Sequence, residues 1–104
     1  MFAGNVSLRL KPNTLPMFTK AFEDQILPLL RKQPGFQDAI VLENEGIRIT
    51  TISLWDSKDH LDAYDKSTYP QVLKSLEKVL DGQPKVRLAT VVHSTSHQLA
   101  TATV

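Results

Sequence analysis

Residues 36–55 read FQDAIVLENEGIRITTISLW, and the fold turns on how this stretch is divided. Its first apolar run, Ala39-Ile40-Val41-Leu42, fits either a buried strand or a fragment of helix. Gly35 in front and the turn residues Asn44-Glu45-Gly46 behind favour the strand. The second run, Ile47 to Trp55, is rich in β-branched residues (Ile47, Ile49, Thr50, Thr51, Ile52), so the two predict a hairpin. Ile47 and Ile49 share one parity of the second strand, Ile52 and Leu54 the other. Neither face is therefore fully solvated. An antiparallel sheet with helices on a single side ordinarily shows one polar face, so the second face here requires a cover.

Working outward toward the N-terminus, Val6, Leu8 and Leu10 alternate with Asn5, Ser7, Arg9 and Lys11, the period of a half-buried strand. Pro12 and Asn13 stop it. Thr14 is the expected N-cap of a helix with Pro16 in its first turn, where a missing N–H costs nothing. Leu15, Phe18, Phe22, Ile26, Leu29 and Leu30 form its apolar stripe. Pro28 removes one helical bond and opposes the carbonyl of Asp24, which predicts a bend. Pro34-Gly35 ends the helix, glycine being free to turn left-handed.

Toward the C-terminus, Ser57 is the expected cap of a helix carrying Leu61 and Tyr64. Ser67-Thr68-Tyr69-Pro70 restarts it, and Tyr69, Leu73, Leu76, Val79 and Leu80 continue the stripe to Asp81-Gly82. After Pro84, Val86, Leu88, Thr90 and Val92 predict a fourth strand. The tail from Ser94 to Val104, with its strand-like Leu99–Val104, is expected as a frayed end or an arm onto a neighbouring copy. The result is a single α+β domain spanning residues 1–104, of ferredoxin-like βαββαβ order: a four-stranded antiparallel sheet with helices on one face. Pairing two copies sheet to sheet would cover the other face, so a homodimer is expected.

The 104 residues leave room for one small core. Twelve basic against eleven acidic residues give a formal charge of +1 without like-charge blocks, which argues against nucleic-acid or membrane-surface partners. No apolar run approaches a membrane span, and Asn5, Arg9 and Lys11 interrupt any secretory h-region, so the cytoplasm is expected by elimination. Cysteine is absent, which removes thiolate nucleophiles, iron–sulfur clusters and cysteine zinc sites. No His/Asp/Glu trio has ligand spacing, and no glycine-rich phosphate loop appears. Neither a metal nor a cofactor is expected.

The element order, Pro34-Gly35-Phe36 after the first helix and Trp55-Asp56-Ser57 before the second resemble the antibiotic-biosynthesis monooxygenase family, from Asn5 to about Val92. That resemblance implies a dimeric α+β barrel. In the family's haem-degrading branch, Asn5 stands in the place of a strand asparagine, Tyr64 in that of a tryptophan, and Lys74 in that of the haem-ligating histidine. A lysine cannot ligate iron as imidazole does. In the branch that oxidises aromatic polyketide phenols to quinones without metal or flavin, Trp55 matches a tryptophan. Thr51 there replaces an asparagine, and Leu61 and Ser75 fall near the places of a tyrosine and an arginine.

The resemblance implies a cofactor-independent monooxygenase acting on a small aromatic or quinol-like molecule in a pocket between sheet and helices. Asn5 and Tyr64 would orient oxygen atoms, Trp55 and Tyr69 would line the pocket or steer the substrate, and His60 would be the base. Each has a plainer reading: Asn5 as a solvated strand residue, Trp55 as an indole filling the sheet–helix junction, His60 as a surface histidine, and the tyrosines as core. A non-catalytic or ligand-binding dimer of the same fold, or an isomerase or lyase, are the alternatives. The test between them is whether Asn5, Trp55 and Tyr64 converge on one cavity.

Overall fold

The computed structural model describes residues 1–97. The expected strand-like arm, Leu99–Val104, lies outside the described residues. In chain order the elements are β1 (Phe2–Arg9), α1 (Leu15–Ala21), a π-helical turn (Phe22–Ile26), α2 (Leu27–Arg31), β2 (Phe36–Asn44), β3 (Arg48–Trp55), α3 (Lys58–Ser67), α4 (Tyr69–Leu76) and β4 (Lys85–Thr90). The strands form one antiparallel sheet in the order β2-β3-β1-β4, the ferredoxin-like arrangement expected.

The hairpin forms where the sequence places it. Its turn holds Glu45 at φ 57° and Gly46 at φ 73°, and Ile47 N–H donates to the Asn44 carbonyl at 3.3 Å. Two left-handed residues in succession match the twist of the strands they join. Opposite Ile49 in β3 lies Leu8 in β1, and this pair faces the helices with Leu8 7% and Ile49 1% exposed. The other parity carries Ala3, Asn5, Ile40, Leu42, Ile52 and Leu54 on a face that no helix covers. Ile40 and Leu42 stand there 42% and 47% exposed.

Three local details differ from expectation. Thr14 does not cap α1: its hydroxyl turns back to donate to the Lys11 carbonyl at 2.7 Å, and the helix opens without a side-chain cap. The helix widens by one coil just before Pro28. The Leu27 N–H reaches the Phe22 carbonyl five residues back, and Pro28 then falls in the first turn of α2, where its absent donor is not missed. The helical path runs on from Leu15 to Arg31. In α4 Leu76 is buried as expected, Val72 is buried as well, and Leu73 is only half-buried.

Ser57 caps α3 as expected, its hydroxyl accepting from the His60 N–H at 3.3 Å. Beyond β1, Leu10 bridges to Leu80, its N–H donates to the Ile47 carbonyl at 2.7 Å, and Lys11 N–H donates to the Val79 carbonyl at 2.8 Å. These bonds seat the chain after α4 against the end of the sheet. After β4, the described part of the tail returns to its own sheet: His97 Nε2 lies 3.0 Å from Asp38 Oδ2.

Candidate functional site

An apolar cavity lies between the helix-side face of the sheet and the helices, with ≈ 670 Å³ of atom-free space including its mouth. Its floor is built by strand alternation. Gly4, Val6 and Leu8 of β1 and Thr51 and Ser53 of β3 share the parity that points at the helices. Phe18, Phe22 and Ile26 form one wall, the last two within the π-helical turn; α3 and α4 form the other with Leu61, Tyr64, Asp65, Tyr69 and Val72. On the β4 side the cavity meets Val86 and Leu88, which are 44% and 46% exposed. Gly4 keeps this floor low, since a Cβ there would stand 2.9 Å from Ser53 Oγ and 3.4 Å from Leu61 Cδ1.

Four aromatic rings run along one side. Phe36 meets Trp55 edge-on at 5.5 Å between centroids, Trp55 lies 4.9 Å from Tyr64, and Tyr64 lies 6.3 Å from Tyr69. Trp55 is fully buried, and its indole N–H donates to Ser53 Oγ at 2.9 Å. It therefore backs the cavity through Tyr64 without lining it. Burial pushes the Tyr64 phenol well above the usual tyrosine range, with the Asp65 and Tyr69 charges adding to the shift. Burial raises Tyr69 as well, again with help from Asp65. Both are hydrogen-bond donors at neutral pH. The Tyr69 hydroxyl is buried and has no hydrogen-bond partner among the described residues.

Of the residues expected to act, the structure brings Tyr64 and Tyr69 together on the cavity with Trp55 behind them. It does not bring Asn5 there, so Asn5, Trp55 and Tyr64 do not converge on one cavity, the outcome that the binding-dimer alternative expects. Asn5 pairs with Ile52 on the parity opposite Gly4 and Val6, and so faces the uncovered side of the sheet. His60 is also outside the cavity. Its Nδ1 lies 2.6 Å from Asp56 Oδ1, on the outer side of the α3 N-terminus, and the hydrogen bond from His60 holds the Asp56 carboxyl below its usual range. Thr51 and Leu61, which stand at the asparagine and tyrosine places of the polyketide-oxidising branch, both line the cavity.

Asp65 was missed by sequence reading. It is the one carboxylic acid in the lining, which among the described residues contains no lysine, arginine or histidine. The signal for it was a carboxylate four residues after Leu61, at helical spacing on the apolar side of α3.

The junction holding Asp56 and His60 depends on Gly35. Its φ is +80°, its carbonyl accepts from Asp56 N–H at 2.9 Å, and a Cβ there would overlap Asp56 Oδ1 and stand 2.7 Å from His60 Cβ. Gly35→Ala is expected to cost about 2–3 kcal/mol, the upper part of the range for a forced left-handed residue because the clash adds to the strain. Urea unfolding would show this as a lower midpoint with an unchanged slope. A midpoint within error of wild type would mean that the α2–β2 connection can rearrange.

The fold recurs in proteins of low sequence identity. A protein of unknown function from Nitrosomonas europaea superposes with a TM-score of 0.77 at 15% identity, over 90% of this chain and 91% of the other. SnoaB, a cofactor-independent oxygenase from Streptomyces nogalater, gives 0.75 at 13% identity, over 92% and 97%. The ActVA-Orf6 monooxygenase of Streptomyces coelicolor, in complex with nanaomycin D, gives 0.74 at 18% identity, over 89% and 88%. At such identities the likeness is one of fold. No curated protein sequence matches the chain. The sequence profile of one family does match, over residues 1–77, and with the sheet order and element sequence described above it shows that the chain belongs to the antibiotic biosynthesis monooxygenase family.

Proposed function

We propose that this protein is a cofactor-independent monooxygenase that oxidises a small aromatic or quinol-like substrate in the cavity between sheet and helices. The observation that carries this reading is the unpartnered, buried hydroxyl of Tyr69 on an apolar cavity flanked by Tyr64. A buried donor without an acceptor is costly, and a substrate oxygen would satisfy it. The apolar walls suit a flat hydrocarbon ring.

The reaction balances without an external reductant. A phenol and O₂ give a quinone and water: the ring carbon opposite the hydroxyl gains one oxygen atom, the other leaves as water, and the substrate supplies all four electrons. Asn5 and His60 lie outside the cavity, so its own phenols and carboxylate carry the chemistry in this reading. The working form is a homodimer in which the uncovered sheet faces of two copies pack together, a reading supported by the exposed Ile40 and Leu42.

Oxygen uptake with a panel of quinols and polyketide phenols, corrected for autoxidation, tests the proposal. The expected result is saturable, enzyme-dependent consumption by the protein after metal chelation and without added flavin. Ligand binding with no consumption across the panel would return the protein to the alternative of a binding dimer.

A further inference from the structure

Among the described residues the cavity lining holds one carboxylate and no cation, and that asymmetry restricts what it admits. Among the lining residues only Asp65, Tyr64 and Tyr69 titrate. An anionic ligand would meet Asp65 with nothing to offset its charge, at a considerable desolvation cost. An uncharged ligand bearing an O–H meets an acceptor in Asp65 and a donor in Tyr69.

We infer that Asp65, on the reading of this cavity as an oxygenase site, is the base that takes the proton of an uncharged phenol, bearing hydrogen at the ring carbon opposite its hydroxyl, whose oxygen is held by the Tyr69 hydroxyl. The placement of the three groups supports the assignment. Asp65 lies beside Tyr64 near the end of α3 and one turn before Tyr69, and its charge is close enough to both phenols to raise them. Burial also raises the Asp65 carboxyl above the usual aspartate range, with the neighbouring Asp62 adding to the shift, and a less acidic carboxylate is a better base. Asp62 is itself engaged by Lys58 at 3.0 Å on the exposed side of α3. The elements across the cavity contribute Thr51, Ser53, Phe18 and Phe22, none of which titrates.

The protons and electrons can be followed throughout. The phenolic proton passes to Asp65, leaving a phenolate whose oxygen accepts from Tyr69. The phenolate gives its electrons to O₂ and forms the new C–O bond at the ring carbon opposite. Asp65 returns the proton to the outer peroxide oxygen. That ring carbon then loses its hydrogen as a proton, the electron pair closes the second carbonyl, the O–O bond breaks, and the departing hydroxide takes up the proton as water.

The test separates this inference from the oxygenase reading it rests on. Calorimetric titration would compare α-naphthol, its methyl ether and α-naphthoate as probes. Wild-type protein should bind α-naphthol roughly ten-fold more tightly than the ether, as a hydrogen bond to a charged group implies, and should reject the naphthoate. Asp65→Leu should abolish the preference for the naphthol. Asp65→Asn should keep naphthol binding within a few-fold yet lose turnover by ~100-fold or more on any substrate found in the oxygen-uptake panel.

In the wild type, turnover should fall as pH drops through the raised Asp65 value, because the base is then protonated. Unfolding cannot mimic the loss in Asp65→Asn. The folded-state pKa of Asp65 is raised, so its ionised form opposes folding at neutral pH, and the uncharged amide should melt no lower than wild type. Tyr69→Phe should likewise melt no lower, since it deletes a hydroxyl that has no partner among the described residues, while slowing turnover. Asp65→Asn turning over at the wild-type rate would overturn Asp65 as base and leave the cavity reading standing. Wild-type protein that binds none of the probes would overturn both. Asp65-dependent binding without any oxygen uptake would overturn the oxygenase reading, and with it the proton transfer.

Discussion

Trp55→Ala is expected to cost about 3–5 kcal/mol, the range for deleting a large aromatic from a packed core. The indole is fully buried, sits between Phe36 and Tyr64, and is the sole partner of Ser53 Oγ at hydrogen-bonding distance below 3 Å. Against a total stability of roughly 5–15 kcal/mol for a domain, that is a large fraction. The thermal midpoint should fall by more than ~10 °C. Trp55→Phe should recover part of the loss, because it keeps an aromatic face against Tyr64 while giving up the indole N–H. If Trp55→Ala melted within a degree or two of wild type, the aromatic row would not be the structural backing of the cavity.

The second large effect concerns association. Ile40 and Leu42 stand on the uncovered face of β2, beside Ile52 and Thr50 of β3. Placing Glu at both positions puts four carboxylates into the apolar junction of a symmetric pair, and opposed like charges cost several kcal/mol. Ile40→Glu with Leu42→Glu should therefore weaken self-association by ~100-fold or more. Sedimentation equilibrium at micromolar concentration reads this directly, with a dimer for wild type and a monomer for the variant. Both side chains are already solvent-exposed in the single chain, so the variant should retain its helical and strand signals. A wild-type protein that is monomeric under these conditions would remove face-to-face pairing from the proposal.

What could be read from sequence was whatever depends on neighbours a few residues away. The hairpin and the Ser57 cap are set by turn chemistry and side-chain period and appear where those rules place them. The first helical path instead ends at Arg31, and Gly35 turns left-handed later, in the turn where Phe36 N–H donates to the Gln33 carbonyl. Thr14 shows the limit of such rules, since its hydroxyl had two local acceptors to choose between and took the Lys11 carbonyl. The π-helical turn was not legible. Whether a helix widens by one coil ahead of a proline depends on how Phe22 and Ile26 must meet the rest of the core. In and after α4 the stripe holds at Leu76 and Val79, and what the reading left out is Val72, buried beside the half-buried Leu73.

The candidate site was legible in outline only. Tyr64 and Tyr69 fell on the apolar side of their helices and do line the cavity. The parity of Asn5 was evident from its strand, yet only the packed structure says that the cavity takes the opposite parity. Asp65 escaped because an apolar stripe is found by its hydrophobic members, and a single acid within one reads as an interruption.

The order β2-β3-β1-β4 also decides how copies of this chain can meet. β2 and β4 are the rims, and each carries a row of backbone donors and acceptors that could template an added strand. The two rims differ. β4 carries Lys85 and Arg87, which pair with Ser7 and Asn5 and so stand on the helix-free face, while β2 carries Asp38 and Glu43 and slips register between Phe36 and Asp38. A copy arriving rim to rim meets an irregular ladder on β2, whereas one arriving flat meets Ile40 and Leu42 on the β2 side of the face and Lys85 and Arg87 on its β4 side. Flat stacking uses up that surface in a single event and closes on itself; rim addition would leave a fresh rim each time and grow without end. Sequence placement thus favours a finite particle over a fibre.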